Sequence, residues 1–450
     1  MKNIKNIIFI LALLTIGNRT LSQTNSNNGI ALTNVTIIDV ENSLQMEEMT
    51  IIIEGEKIKS IQPSDSTSLK NIGQIIDLKG NYVIPGLIDS HVHLFRPKNR
   101  IEILTALLYS GITTVRDMGG DARMYQSLMK EIENGTLDGP DIYYSANFFG
   151  PTFLEDPRTK FAASGYQPGE APWMRMITEE TNLQQVVSEV KEVGATGIKV
   201  YSNITPPLLN KISNEAHTQG LQMWSHSSVF PSKPSDAVTA GVDVLSHGVG
   251  MIFETQSNLP ISFNDAIKNH IKLQDFKNTD ATAPEFLSLF KTMKLNETIF
   301  EPTLSSWKPI IRAQEQKNAV VEQVNPTAHL KAAAKTIDPL AMDDWAKRIT
   351  KAAYQNGVTI AAGTDFNTTI KWVQDEIIFL TECGLSNLDA LKAATLNNAR
   401  AIGIEDTHGS ISINKKANLV ILSQNPLEDI KNIRTVISVY KNGKKYLKKE

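Results

Sequence analysis

Val83-Ile84-Pro85-Gly86-Leu87-Ile88-Asp89-Ser90-His91-Val92-His93 is the stretch around which the rest of the chain can be organised. It reads as an apolar strand that closes on two imidazoles. Residues two apart on a β-strand point to the same face. His91 and His93 therefore reach one ion together, while Val92 turns into the wall. Imidazole nitrogen suits zinc and its first-row neighbours. Further ligands are then expected at later strand ends. His226 closes Leu221-Gln222-Met223-Trp224-Ser225-His226, and His247 closes Val242-Asp243-Val244-Leu245-Ser246-His247. Asp365 closes Thr359-Ile360-Ala361-Ala362-Gly363-Thr364-Asp365.

From residue 83 to about 402 the pattern alternates strand and helix. Candidate strands end at His93, Asp117, Ala146, Tyr201, His226, His247, Thr303 and Asp365. Thr205 before Pro206 is a helix start and Gly220 a stop. Ser386-Asn387-Leu388-Asp389 is a capping-box start. Eight strands alternating with helices predict a (β/α)8 TIM barrel, with an open doubly wound sheet as the rival. The flanks are different. Residues 31–38, 50–55 and 57–61 are rich in β-branched residues, as are 417–422 and 436–440. Lys441-Asn442-Gly443-Lys444 reads as a hairpin turn. The two ends are expected to form one small β-sandwich interrupted by the barrel. The predicted division is a signal peptide over 1–22, β-sandwich over 29–82 and 405–450, and barrel over 83–404. Stretches near 147–178 and 250–282 exceed ordinary loop lengths and are expected to rim the strand ends, with a third insertion at about 305–340.

In a barrel the strand C-termini converge on one face, where reactive groups gather. Each strand histidine alone is more often a packed core residue than a ligand. Four of them plus an aspartate, gathered at four predicted strand ends, make coincidence a poor explanation. Lys199, inside the apolar strand Gly197-Ile198-Lys199-Val200-Tyr201, needs a reason too, because a lone buried ammonium pays for desolvation or loses its proton. A neutral amine beside metal ions can take up carbon dioxide, and the carbamate could bridge two cations. The expected site has His91, His93 and Asp365 on one divalent ion and His226 and His247 on the other. Carboxylated Lys199 lies between them, and a bridging hydroxide is the nucleophile. Asp365 would also move the proton. Zinc is the default metal, with manganese and cobalt open. Lys199 has rival readings, as a structural lysine paired with a carboxylate or as a substrate-facing charge. His217, His270, His329 and His408 read as bystanders, with substrate contact open for His270 and His329.

Lys2 and Lys5 precede the run Ile7 to Leu14, and a short polar segment ends at Ser22. This is the layout of a secretory signal peptide. It predicts a periplasmic or secreted protein cut near Ser22, with no membrane attachment afterwards. Removing 1–22 deletes Lys2, Lys5 and Arg19 and no acid, taking the net charge from −3 to −6. No basic patch suggests nucleic acid. Cys383 is the sole cysteine, so no intramolecular disulfide is possible. Homo-oligomerisation is open.

The segments 85–93, Gly111-Ile112-Thr113-Thr114-Val115-Arg116-Asp117, Ile198-Lys199-Val200, Ser246-His247-Gly248, Ala362-Gly363-Thr364-Asp365 and 391–403 closely resemble the amidohydrolase superfamily, across nearly all of the chain after residue 22. The resemblance implies a (β/α)8 barrel with a composite β-sandwich and metal-dependent hydrolysis at carbon. The strand-four Lys199 looks like the branch of imidazolonepropionase-like and prolidase-like hydrolases. Imidazolonepropionase itself uses a single metal without that lysine. The prolidase-like branch, similar in its Ile-Lys strand, cleaves dipeptides or N-acyl amino acids. Tyr201 sits where that branch contacts substrate, with a packed rim aromatic as the equal alternative. Ser145 to Thr152 lacks the glycine-glycine-histidine stretch of many prolidase-like members, which puts substrate identity in doubt. Asn418 replaces the family's usual aspartate at a structural position.

The reading that follows is an exported metal-dependent hydrolase of an amide or related carbon–nitrogen bond. A small-molecule or short peptide-like substrate is favoured, such as an N-acyl amino acid, and no arginine stands out as anchor for its carboxylate. A lactone or ester hydrolase fits the same site. A single-metal deaminase is disfavoured, because Ser227-Ser228-Val229-Phe230 follow His226 without an acid. A non-catalytic barrel is disfavoured by the complete ligand set.

Overall fold

The computed structural model describes residues 29–95, 98–261, 265, 273–308, 311, 338–365 and 373–447. The signal-peptide segment, His270, His329 and most of the 305–340 insertion lie outside them. The N-terminal part folds as β1 (Gly29–Asp39), β2 (Leu44–Glu54), β3 (Lys57–Pro63), β4 (Gln74–Asp77) and β5 (Tyr82–Pro85). The long β1 pairs with β2 along its length, with β4 over its first half and with β5 over its second.

A curled, half-barrel sheet of parallel strands follows. Its path runs through β6 (Leu87–Val92), β7 (Ile112–Asp117), β8 (Asp141–Phe149), β11 (Gly197–Val200), β12 (Gln222–His226), β13 (Val244–Ser246) and β14 (Ile299–Glu301). Helices connect successive strands and bury one face. Pro206–Thr218, for example, packs Leu208, Leu209, Ile212 and Ala216 inward, the spacing of a surface helix. It starts as its sequence predicts, with the Thr205 side chain accepting from the Leu208 amide. Residues 359–365 lie between the two ends of this sheet. Phe300 N–H donates to the Thr359 carbonyl at 2.9 Å, and Ala361 N–H returns to the Phe300 carbonyl at 2.9 Å. On the other side Ser90 N–H donates to the Ala362 carbonyl at 3.2 Å, and Asp365 N–H to the His91 carbonyl at 2.8 Å.

Two expectations about strand ends need correction. The third barrel strand does not stop at Ala146. It runs on to Phe149, because the insertion that follows returns as β9 (Glu170–Ala171) and β10 (Met174–Met176), and β10 pairs with Asn147 to Phe149. His93, Tyr201, His247 and Thr303 stand one or two residues beyond their strands, although the Tyr201 N–H still donates to the Phe148 carbonyl at 3.0 Å and the His247 N–H to the Glu301 carbonyl at 2.8 Å. His247, Thr303 and Asp365 adopt φ of 78°, 52° and 50°, unusual values for residues with a side chain that cluster at functional sites. The stretch after β13 carries a 3-10 segment, Gly248–Thr255, and a helix, Leu273–Asn278.

The C-terminal end returns as β15 (Leu419–Leu422), β16 (Val436–Lys441) and β17 (Lys444–Leu447). β15 pairs antiparallel with β5, so both chain ends share one eight-stranded sheet. Its own apolar cluster includes Leu32, Ile37, Ile51, Val83, Leu419 and Ile421. Asn442 and Gly443, at φ 50° and 74°, form the hairpin turn, as Asn-Gly favours. The Asn418 side chain accepts from the Asn442 N–H at 2.7 Å and so braces that turn. Asp141, at the N-terminal end of β8, ties the two sheets together. It meets Lys441 at 2.8 Å, Lys416 at 3.2 Å and His408 at 3.5 Å. Among the described residues no helix is long and apolar enough to cross a membrane.

Candidate metal centre

The C-terminal ends of the parallel strands bring the foreseen side chains together. His91 Nε2 lies 3.6 Å from Asp365 Oδ1, His93 Nε2 lies 3.1 Å from the same oxygen, and His247 Nδ1 lies 3.8 Å from Oδ2. One ligand atom each of His91, His247 and Asp365 falls within 4.8 Å of the other two. This grouping crosses the division expected between two ions. His226 joins through its ring, 4.7 Å from that of His247. Lys199 is wholly buried on β11, with Nζ donating to Ser246 Oγ at 2.6 Å. Tyr201 packs 4.6 Å from the His226 ring, and its hydroxyl donates to the Met118 carbonyl at 3.0 Å. His217 is at the surface, 3.0 Å from Asp243, and His408 is with Asp141.

The charges are poised for a cation. Burial pushes the imidazoles of His226 and His247 well below their ordinary value, so both are neutral and free of the proton that would block coordination. Burial opposes ionisation of Asp365, but His91, His93 and His247 outweigh it and hold the carboxyl well below the usual range. Burial brings the Lys199 amine down to about 7, which makes a neutral amine accessible near physiological pH. Converging imidazoles, those of His226 and His247 kept neutral by burial, and an ionised carboxylate match the donor set of a divalent transition metal.

Glu301 was not foreseen, and it organises the floor of the site. It is wholly buried at the end of β14. Oε2 accepts from His91 Nδ1 at 2.6 Å and from Ser246 Oγ at 2.9 Å, and Oε1 accepts from Arg116 Nη2 at 2.7 Å. The buried Arg116 is itself fixed by the carbonyls of Ser90 and Ala401 and by the Trp224 face, 4.5 Å away. A carboxylate on Nδ1 sets the His91 tautomer and turns Nε2 toward Asp365, the usual arrangement behind a metal-ligating histidine. Burial alone would raise the Glu301 pKa, but Arg116 and His91 pull it far down. The hint available in the sequence was Arg116 within the predicted strand 112–117, which calls for an acidic partner without saying which.

Asp89 holds the opposite wall. Its Oδ2 accepts from Thr364 Oγ1 at 2.7 Å and Oδ1 from the Thr364 amide at 3.1 Å, which fixes the turn carrying Asp365. Gly363 allows the turn to sit there, since a Cβ would lie 2.6 Å from His91 Cβ. Thr303 Oγ1 lies 2.9 Å from His247 Nδ1.

A curled parallel α/β sheet with histidines and an aspartate gathered at its strand C-termini defines a candidate metal site. A model described as the amidohydrolase family matches residues 347–445. The imidazolonepropionase of Picrophilus torridus is 23% identical over 414 residues, 86% of this chain and 89% of the relative. The crystal structure of a Xaa-Pro dipeptidase with bound methionine aligns with TM-score 0.73 at 22% identity, covering 93% of this chain and 100% of that one. The A. niger ochratoxinase aligns with TM-score 0.70 at 20% identity, covering 93% and 96%. The chain is thus similar to the amidohydrolase family over residues 347–445, and to an imidazolonepropionase over most of its length.

Proposed function

We propose that the protein is an exported hydrolase of an amide bond in a peptide-like substrate or N-acyl amino acid, working at a two-metal centre. In this reading the ions are zinc, held by His91, His93, Lys199 in carboxylated form, His226, His247 and Asp365. The observation that carries the reading is the approach of His91, His93 and His247 to the single carboxylate of Asp365. Residues 359–365, bonded to both β14 and β6, serve as the eighth strand of a closed (β/α)8 barrel. The sheet shared by the chain ends would be the framework of the small β-sandwich domain. Export rests on the N-terminal Lys2, Lys5 and apolar pattern alone.

Divalent ions at such a site lower the pKa of water and polarise a carbonyl. The protein's own groups do the rest. Asp365, ionised and facing the site, accepts the proton of the attacking water and delivers it to the departing nitrogen. Glu301 and Thr303 hold His91 and His247 in fixed orientation. The low pKa of Lys199 leaves an amine able to take up carbon dioxide near neutral pH. The two serines after His226 donate to the carbonyls of His247 and Gly250. They act as braces where a deaminase-type site would want an acid. The test is turnover of N-acetyl amino acids, dipeptides and lactones by zinc-loaded protein. Amide cleavage that a chelator abolishes and zinc restores supports the reading, and activity indifferent to chelation contradicts it.

A further inference from the structure

The sequence singles out no arginine as a substrate anchor, but the fold does. The insertion after β8 opens with the 3-10 turn Pro151–Glu155 and continues as the short helix Pro157–Ala163. Asp156, between them, is almost fully buried and clamps Arg158. Its Oδ1 accepts from the Arg158 amide and from Nε, each at 2.9 Å, and its Oδ2 accepts from Nη2 at 2.7 Å. The clamp takes the side-on edge of the guanidinium. Among the described residues no hydrogen bond uses Nη1. The end-on edge, formed by Nη1 and the remaining hydrogen of Nη2, is the one that pairs with a carboxylate through two parallel bonds.

The guanidinium stands beside the metal centre. Its carbon lies 5.3 Å from the Phe153 ring centroid and 5.9 Å from that of Tyr201, and Tyr201 packs 4.6 Å from the His226 ring. One aromatic ring therefore separates a fixed cation from a candidate ligand, and the Arg158 side chain keeps 26% of its surface open. Its charge interacts with that of Asp365 and, behind burial, His247 and Lys199, helps keep the His226 imidazole neutral. Two aromatic faces and a buried counter-charge hold the group in place before any ligand arrives, so little ordering cost attends binding.

We infer that Arg158 is the specificity-determining residue of the site, binding the free carboxylate of an N-acyl amino acid or dipeptide whose amide bond lies at the metal centre. This deepens the hydrolase reading and rests on it for the reaction, though not for the binding. Tyr201 and Phe153 then form the wall between carboxylate and scissile bond, a packing role for Tyr201.

The experiment compares N-acetyl-L-leucine, N-acetyl-L-methionine and N-acetyl-L-phenylalanine with their C-terminal carboxamides, on zinc-loaded wild type, Arg158→Gln and Arg158→Lys. A buried site built for a charged group rejects the analogue lacking it by large factors. The wild-type kcat/KM ratio of acid to carboxamide should be about 100 or more. Arg158→Gln should bring it near one, and Arg158→Lys should leave an intermediate value because charge survives and the fork is lost. A ratio unchanged in Arg158→Gln overturns the anchor. Circular dichroism and metal content show whether each variant is folded and loaded. Binding is read separately by calorimetry with N-ethyl-L-leucine, which has no scissile carbonyl, against its carboxamide. Tighter binding of the acid by about tenfold in wild type, lost in Arg158→Gln, supports the anchor even if no amide is turned over, a result that would sink only the hydrolase reading. Equal binding of the two by wild type overturns the anchor.

Discussion

Replacing Glu301 with glutamine keeps the shape of the side chain and removes its charge. The wild-type carboxylate accepts from Arg116, His91, Ser90 and Ser246, all buried. Glutamine offers one oxygen to these donors and turns an NH2 toward the rest. Hydrogen bonds to a charged group each contribute roughly 1.5–3 kcal/mol. Leaving Arg116 as a buried cation without its counter-charge costs about 3–5 kcal/mol. These contributions overlap and do not add, so the larger bounds the loss. Glu301→Gln should therefore lose about 3–5 kcal/mol in urea unfolding, a large part of the stability of an ordinary domain. It should also weaken metal binding by about 10–100-fold, because His91 loses the partner that sets its tautomer. Competition with a chromophoric chelator reads the second effect without any turnover. Pairing the change with Arg116→Met removes the orphaned cation and should recover part of the stability but not the metal affinity. A Glu301→Gln protein within about 1 kcal/mol of wild type, with unchanged metal affinity, would refute the reasoning that this pair is unscreened and that it orients His91.

Lys199→Ala should abolish activity, with partial recovery by added short-chain carboxylic acids that mimic the missing bridge; full activity without them removes the bridging role. Gly363→Ala pushes a methyl group against His91 and should cost about 1–3 kcal/mol together with metal loss, checked by thermal melting and metal analysis; a normal melt with full metal would contradict the packing argument. Glu376 is buried, which raises its carboxyl to about 8 from an ordinary 4.5, despite donors from Leu304 and Ser305. The folded state then binds more protons than the unfolded state between those values. This contribution to stability is full below about pH 4.5 and lost as pH rises through about 8. Wild type should lose stability relative to Glu376→Gln across that window, and parallel urea midpoints over pH 4.5–8 would show the carboxyl ionised throughout.

The gathering of His91, His93, His247 and Asp365 was legible because strand geometry leaves few options. An i, i+2 pair at a strand end shares a face, and strand C-termini converge. His226, His247 and Asp365 could be placed without coordinates for the same reason. Glu301 was not legible, because its meaning lies in Arg116 and His91, each about two hundred residues earlier. Read locally, Ile299-Phe300-Glu301 is a short apolar strand with a polar end. Arg158 was hidden for a similar reason, since only the folded insertion carries it to Tyr201. The extension of β8 to Phe149 depends on β10, a strand too short to leave a periodic signal. The join of the chain ends was readable from β-branched runs and Asn442-Gly443, but their pairing through β5 and β15 is a matter of register that composition does not encode.

The most direct test is the number of metal ions per chain after equilibrium dialysis against zinc in bicarbonate buffer, measured by elemental analysis. The account predicts two, falling to one or fewer in Lys199→Ala. A single ion in the wild type, or none, contradicts a bridged pair at the strand ends.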